Sequence, residues 1–311
     1  MALELNSTKL TQRPCGTSKF NPCPLQGTET WHLLQGFASD DLGCRRSPRT
    51  PAFNGTWSAG HLAAARRCLQ RKKIWFLGNS VMRHWTFVLE NLITGRQSAP
   101  RKMSPMEQNA EFERCGRGGT FGGRMLSGSR CPFRGLCECV FEPNSALGAG
   151  STILFGWVWE IASPHVEQML LNGTGKHAPP DVVIYNTGYA EAACSKCKAG
   201  LREAKEDVPV LHSMVARVLQ ARPELTFYWR SSTAQCDWKL GANTETRIVN
   251  NHIEAYVCAI PRVRKLNTFA WTLDDKCKHY DDATHHSLLT WSHVLAFLRD
   301  YCDADFEGLP L

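Results

Sequence analysis

Short apolar segments alternate with amphipathic segments along most of this chain, and this alternation restricts its fold more than any other feature. The runs KIWFL (73–77) and DVVIY (181–185) have the length and the apolar content of buried strands. Further strands are predicted at 151–158, 225–229 and 263–269, and helices at 58–70, 81–93, 208–221, 243–259 and 287–301. Ser58 is the expected N-cap of the first helix. Strands that are separated by helices pair in parallel, so the sequence predicts an α/β protein with helices on both faces of a parallel sheet.

The composition agrees with a globular protein and makes several partners unexpected. Of the 311 residues, 43% are hydrophobic and 21% are charged, which suits a packed core and not a disordered chain. The net charge of +7 comes from scattered basic residues, so we expect no nucleic-acid partner. No stretch approaches the roughly 18 apolar residues that a membrane span needs, and the first residues lack the basic and apolar parts of a signal peptide.

Two stretches fall outside the alternation. Residues 1–57 are rich in Pro, Cys, Ser, Thr and Asn, which indicates an irregular N-terminal segment tied by disulfides. Residues 94–150 form a Gly- and Cys-rich insert, which we expect to be a disulfide-closed loop and not an element of the sheet. The expected organisation is therefore this segment followed by one domain, 58–311, that carries the insert.

The cysteines indicate an oxidising compartment. There are 14 of them, an even number, and three Asn-x-Ser/Thr triplets (at Asn6, Asn54 and Asn172) accompany them. We therefore expect disulfides and the secretory pathway, either the Golgi lumen or secretion. The alternative is a metal site of four cysteines, because Cys194 and Cys197 have zinc-finger or redox spacing and Cys137 and Cys139 form a second close pair. Disulfides are preferred, so no metal and no cofactor is expected.

Three predicted strand ends carry side chains that could do chemistry together. Ligands of open parallel sheets bind at the carboxyl ends of the strands. Ser80 follows the first strand, at a helix N-terminus whose free N–H groups could stabilise an oxyanion; alternatively, it only caps helix 81–93. Asp282 and His285 are spaced so that the carboxylate can orient the imidazole as a base. Such spacing also occurs by chance, and the neighbouring His279, Asp281 and His286 leave the register open. Asn186 is either an oxyanion donor or a structural amide that ties two strand-end loops.

Three further residues are candidate substrate ligands. Arg83 and Trp85 follow Ser80 on the same helix, where Arg83 could bind an anionic group and Trp85 could stack on a sugar ring. Arg230 ends the fourth strand and could orient a substrate in the same cleft. The alternatives are a core position for Trp85 and a salt bridge with a loop carboxylate for Arg230.

Four motifs together resemble a known family. IWFLGNSVMRHW (74–85), PDVVIYNTGY (180–189), FYWRSS (227–232) and DDATHH (281–286) resemble the PC-esterase branch of the GDSL/SGNH-like acyl-esterase superfamily, which includes the trichome birefringence-like polysaccharide O-acetyltransferases. The resemblance runs from about residue 68 to 302. It implies a three-layer α/β/α sandwich with a doubly wound, mostly parallel sheet that acts on acyl esters, commonly glycan acetyl groups, in the secretory pathway.

The same resemblance assigns roles to residues. It implies Ser80 as nucleophile, His285 as base and Asp282 as its partner, with Asn186, Gly188 and the Ser80 N–H group forming the oxyanion hole. The partners would be a glycan acceptor and an acyl donor. Asn79 and Tyr189 depart from the pattern, since the family usually has Asp at the first position and the plant branch has His at the second. These departures motivate the alternative of a catalytically inactive relative that binds glycan.

Overall fold

The structure of the protein is a computed structural model. This structure describes residues 58–96, 138–141, 144–158, 161–162, 164–174, 177–187, 200–236, 240–275, 277–281 and 284–306. The predicted N-terminal segment and most of the predicted insert lie outside these residues, so those parts of the domain prediction stay predictions.

A six-stranded sheet forms the centre of the fold. Its strands are β1 (Lys73–Gly78), β2 (Glu138–Phe141), β3 (Thr152–Trp157), β4 (Val182–Tyr185), β5 (Thr226–Arg230) and β6 (Val263–Leu266). They lie side by side in the order β2-β3-β1-β4-β5-β6. All neighbours pair in parallel except β2, which runs antiparallel to β3 at one edge. The prediction of a mostly parallel sheet is confirmed.

Helices cover both faces of the sheet, which gives three layers. They are α1 (Ala59–Leu69), α2 (Ser80–Thr94), α3 (Asn144–Leu147), α4 (Pro164–Asn172), α5 (Gly200–Ala221), α6 (Leu240–Val257), α7 (Thr268–Asp274), α8 (Ser287–Tyr301) and α9 (Asp303–Phe306). One apolar core contains residues of α1, α2 and α8, and the other contains residues of α4, α5 and α6. This architecture is compatible with a three-layer α/β/α sandwich.

The two cores explain why the strands are apolar throughout. On β1, Ile74 and Phe76 belong to the core beneath α2 and α8, while Trp75 and Leu77 belong to the core beneath α5 and α6. Successive side chains of a strand point to opposite faces, and here both faces are buried. A continuous apolar run is therefore what a central strand of this sheet requires.

Capping residues define the start of α1 and the end of α2. The Ser58 hydroxyl accepts a hydrogen bond from the His61 N–H group, so Ser58 caps α1 as predicted. Gly95, in a left-handed conformation, ends α2. A disulfide between Cys68 and Cys302 joins the end of α1 to the residue that follows α8. The N- and C-terminal parts of the described domain are thus covalently joined.

Two predictions about elements are wrong. Residues 138–141 of the predicted insert pair with β3, so the insert does contribute to the sheet. The predicted strand 263–269 stops at Leu266, because the Asn267 side chain accepts a hydrogen bond from the Ala270 N–H group and starts α7. In addition, α4 had not been predicted.

A second disulfide joins Cys236 to Cys277, so the described part of the chain holds two. Disulfides of this kind are typical of proteins from oxidising compartments, as the cysteine count predicted. Among the helices that the structure describes, none combines the length and the apolar character needed to cross a bilayer.

Candidate active site

The structure brings Ser80 and His285 together at the carboxyl end of β1. His285 Nε2 lies 2.8 Å from Ser80 Oγ, a hydrogen-bonding distance, although 205 positions separate the two residues in the sequence. Both residues are partly exposed. A hydroxyl in contact with an imidazole nitrogen, open to solvent, is the basic unit of a serine nucleophile and its base.

The start of α2 positions Ser80 as the first helical residue. Asn79 is the helix cap: its side-chain oxygen accepts a hydrogen bond of 3.0 Å from the Val81 N–H group. The alternative that Ser80 is itself the cap is therefore wrong. The first N–H group to bond back along the helix is that of Arg83, which donates to the Asn79 carbonyl. The Ser80 N–H group thus precedes the helical hydrogen bonds, next to its own hydroxyl.

Gly78 is required by the close approach of two strand ends. A β-carbon at this position would lie 2.6 Å from Met82 Cγ and 2.9 Å from the Asn186 carbonyl oxygen. Both contacts are shorter than real β-carbons make, so any other residue would push α2 away from the end of β4. The glycine therefore allows the turn that carries Ser80 to sit against Asn186.

A short turn before α8 carries His285. The Asp281 N–H group donates a hydrogen bond of 2.7 Å to the His285 carbonyl, which closes the loop between them. Asp281 is half-buried and one of its carboxylate oxygens is fully buried. The predicted partner Asp282 lies outside the described residues, as do Gly188 and Tyr189.

Asn186 is fully buried and uses its amide within the fold. Its Nδ2 donates to the Arg230 carbonyl at 2.9 Å and to the Ser232 hydroxyl at 3.3 Å. Two donated bonds use both hydrogens of the amide. The amide therefore ties the ends of β4 and β5, which is the structural alternative, and an oxyanion role for its N–H groups stays a prediction.

The predicted substrate ligands Trp85 and Arg230 lie beneath the site. Both side chains are 0% exposed, and the Arg230 guanidinium lies over the Trp85 ring at 5.2 Å from its centroid. Trp85 is part of the core under α2, as its alternative predicted. Burial lowers the pKa of Arg230 to about 9, against the opposing effect of Tyr280. Arg83 is buried as well, and substrate contact by any of the three stays a prediction.

Three further histidines, His84, His286 and His293, belong to this region of the fold; the sequence left His286 open as an alternative to His285 and assigned no role to the other two. His84 stacks on His285, with 4.8 Å between ring centroids and 24° between ring planes. His286 and His293 contact each other edge to face at 5.4 Å. Burial lowers the pKa of His293 well below its usual value, and the positive charges of His286 and Arg230 act in the same direction. The i+4 spacing of Ser80 and His84 was the one available signal, because it places both on one face of a helix.

No group of three or more potential metal ligands occurs within the part of the chain that the structure describes. The Cys194 and Cys197 pair lies outside it. Compared with protein families and with curated proteins, the sequence has no match. The case for a function therefore depends on the geometry of the site.

Proposed function

We propose that the protein is a serine-dependent acyl-ester enzyme, an O-acetyl transferase or esterase that acts on a glycan. The observation that carries this proposal is the 2.8 Å contact between His285 Nε2 and Ser80 Oγ at the N-terminus of α2. Free N–H groups at a helix N-terminus stabilise negative charge, which an attacked ester carbonyl develops. A serine hydroxyl, an imidazole nitrogen and a helix N-terminus thus meet at one strand end, and this arrangement supports the proposal.

The reaction proceeds in two displacements. Ser80 Oγ attacks the ester carbonyl carbon while His285 Nε2 takes the hydroxyl proton. The tetrahedral intermediate collapses, the ester C–O bond breaks, and the imidazolium returns the proton to the leaving alcohol. An acyl-serine remains. Water or a sugar hydroxyl then attacks it, His285 takes the proton of the attacking group, and the proton finally returns to Ser80 as the acid or the new ester departs.

A carboxylate next to His285 would complete the site. A base of this kind works best when a carboxylate holds its other nitrogen and stabilises the imidazolium. The resemblance assigns this role to Asp282, and the neighbouring Asp281 already closes the turn through its backbone. Separate Asp282→Asn and Asp281→Asn variants distinguish them: only the partner of His285 should lower the acylation rate by about 10²-fold or more.

The substrate class rests on the compartment and on the resemblance. Two disulfides in the described domain suit the lumen of the secretory pathway, where glycans are built and modified. The four motifs that follow the strands resemble enzymes that act on acetyl esters of polysaccharides. We therefore propose a Golgi or secreted enzyme that takes an acyl donor and a glycan acceptor and needs no cofactor.

The test of this proposal is turnover of an aryl acetate by oxidised, refolded protein. We expect wild type to release the aryl alcohol in a burst and to carry one acetyl group by intact mass, while Ser80→Ala shows neither. An acetylated polysaccharide and its deacetylated form, offered in turn, separate hydrolysis from transfer. Acetylation of the wild type at a site other than Ser80 would contradict the proposal.

The second candidate function is glycan binding without turnover. It is favoured by Asn186, whose two amide hydrogens are donated within the fold and so do not form an oxyanion hole in this structure. For this candidate, a glycan array should give the same binding for wild type and for Ser80→Ala, with no acyl adduct on either.

A further inference from the structure

His84 is positioned to influence His285, because it lies on the same helix as Ser80 and its ring contacts that of His285. It lies on α2 one turn after Ser80, so the helix presents the two side chains on the same face. Its ring stacks on that of His285 at 4.8 Å, with only 24° between the planes. The helix that carries the nucleophile therefore also carries the surface on which the base rests.

The burial of His84 makes that surface fixed. His84 is 2% exposed, whereas His285 is partly exposed and belongs to the turn before α8. A base in a turn can rotate about its side-chain bonds, and the hydrogen bond from Ser80 weakens steeply as its angle departs from linear. A flat, immobile ring against one face of His285 removes that freedom.

Stacking on His84 should also affect the protonated form of His285. His285 becomes an imidazolium when it takes the Ser80 proton, and a cation is attracted to the face of a neutral aromatic ring. The buried Arg230 guanidinium of this face lies over the Trp85 ring in the core below. The ring in direct contact with the face of His285 is that of His84.

We propose that His84 is a positioning residue, whose ring plane holds the His285 imidazole in line with Ser80 and stabilises it while it is protonated. This inference rests on the proposed function, because it assigns His285 the role of base. What His84 contributes is a flat ring and not a proton, so another flat ring should replace it.

The test compares two apolar replacements of similar burial, His84→Phe and His84→Leu. Phe keeps a flat face against His285, and Leu fills the space without one. We expect labelling by a fluorophosphonate to slow by about tenfold or more in His84→Leu and to stay within about threefold of wild type in His84→Phe. His61→Leu is the matched control: it replaces another buried histidine, which lies on α1 with its ring against Phe306, and should not change the labelling rate.

Long-range ¹H–¹⁵N spectra of the imidazoles give a readout that needs no turnover. We expect the His285 signals to report one tautomer in wild type and in His84→Phe, and a mixture in His84→Leu. Wild-type labelling rates for the folded Leu variant, or equal slowing by Phe and Leu, would overturn the inference. If wild type is not labelled at all, the proposed function fails, and an unchanged His285 spectrum in His84→Leu then rejects the stack as well.

Discussion

Lys265 and Arg230, two deeply buried cations on opposite faces of the sheet, differ in whether they are paired. On the α5–α6 face, Lys265 of β6 and Glu254 of α6 are 2% and 3% exposed and form an ion pair of 2.7 Å. On the α2–α8 face, Arg230 and His293 are 0% exposed, and within the described part of the chain their side-chain nitrogens have no hydrogen-bond partner. Unpaired buried polar groups cost free energy that a paired group recovers.

The unpaired groups mark the place where this fold accepts an energetic cost. The paired charges lie in a core to which no chemistry is assigned. The unpaired ones lie with Trp85 below Ser80 and His285. Local costs of this kind accumulate at functional sites, because the surrounding packing holds groups there for their chemistry and not for their stability.

Removing one member of the Lys265–Glu254 ion pair should have the largest effect on stability. Lys265→Met leaves the Glu254 carboxylate buried without its cation, so we expect the free energy of unfolding to fall by about 3–5 kcal/mol. The measurement is urea unfolding followed by tryptophan fluorescence. The double variant Lys265→Met/Glu254→Leu removes both charges and should recover most of the loss. If the single variant loses less than about 1 kcal/mol, the pair does not stabilise this face.

Acidification should lower the free energy of unfolding through His293. The pKa of His293 is lowered in the folded state, so below the ordinary value of 6.5 the unfolded chain binds a proton that the folded chain does not. Stability therefore falls as the pH drops below 6.5, by about 1.4 kcal/mol per pH unit from this group until its folded pKa is reached. Unfolding curves between pH 7 and 5 check this. His293→Phe should flatten the dependence, and an equal slope in the variant would assign it to other groups.

Removing the unpaired cation should cost little or even stabilise the fold. Arg230→Met takes away a buried charge and its contact with Trp85, so we expect the free energy of unfolding to rise by about 1 kcal/mol or to stay unchanged. Lys265→Met is the comparison, because the same kind of substitution should be strongly destabilising there. A loss of 2 kcal/mol or more in Arg230→Met would show that its charge is paired in solution.

The smallest effect is expected at the helix cap of the site. Asn79→Asp keeps the oxygen that accepts from the Val81 N–H group and adds negative charge at a helix N-terminus, so stability should rise by about 0.5 kcal/mol. Asn79→Ala, which lacks that oxygen, should lose about 1 kcal/mol. Thermal unfolding of the two variants checks both values. A destabilising Asn79→Asp would mean that this position requires a neutral side chain.

The sequence predicted those elements that depend on interactions between neighbouring residues. The apolar run of β1, the Ser58 cap of α1 and the extent of α8 all follow from neighbours in the sequence. The short edge strand β2 did not, because four residues in a Cys-rich stretch give little periodicity and its pairing partner β3 defines it. The boundary between β6 and α7 was missed because the apolar Phe269 continued the strand pattern past the Asn267 cap.

The sequence predicted which residues lie at the candidate site, but it did not predict the contacts that their side chains make. Strand ends of a parallel sheet meet at one edge, which is why Ser80 and His285 could be paired from the sequence. The orientation of the Asn186 amide depends on the Arg230 carbonyl and on Ser232, neither of which its own sequence neighbourhood reveals. The burial of Arg230 and the stack of His84 on His285 likewise depend on packing between distant elements.

The central claim is that Ser80 is a nucleophile activated by His285, and fluorophosphonate labelling followed by intact-mass and peptide analysis tests it most directly. The account predicts one adduct on folded, oxidised wild type, located at Ser80, none on Ser80→Ala, and a labelling rate about 10³-fold lower for His285→Ala. Wild type that stays unlabelled while folded, or a His285→Ala variant labelled at the wild-type rate, would contradict it.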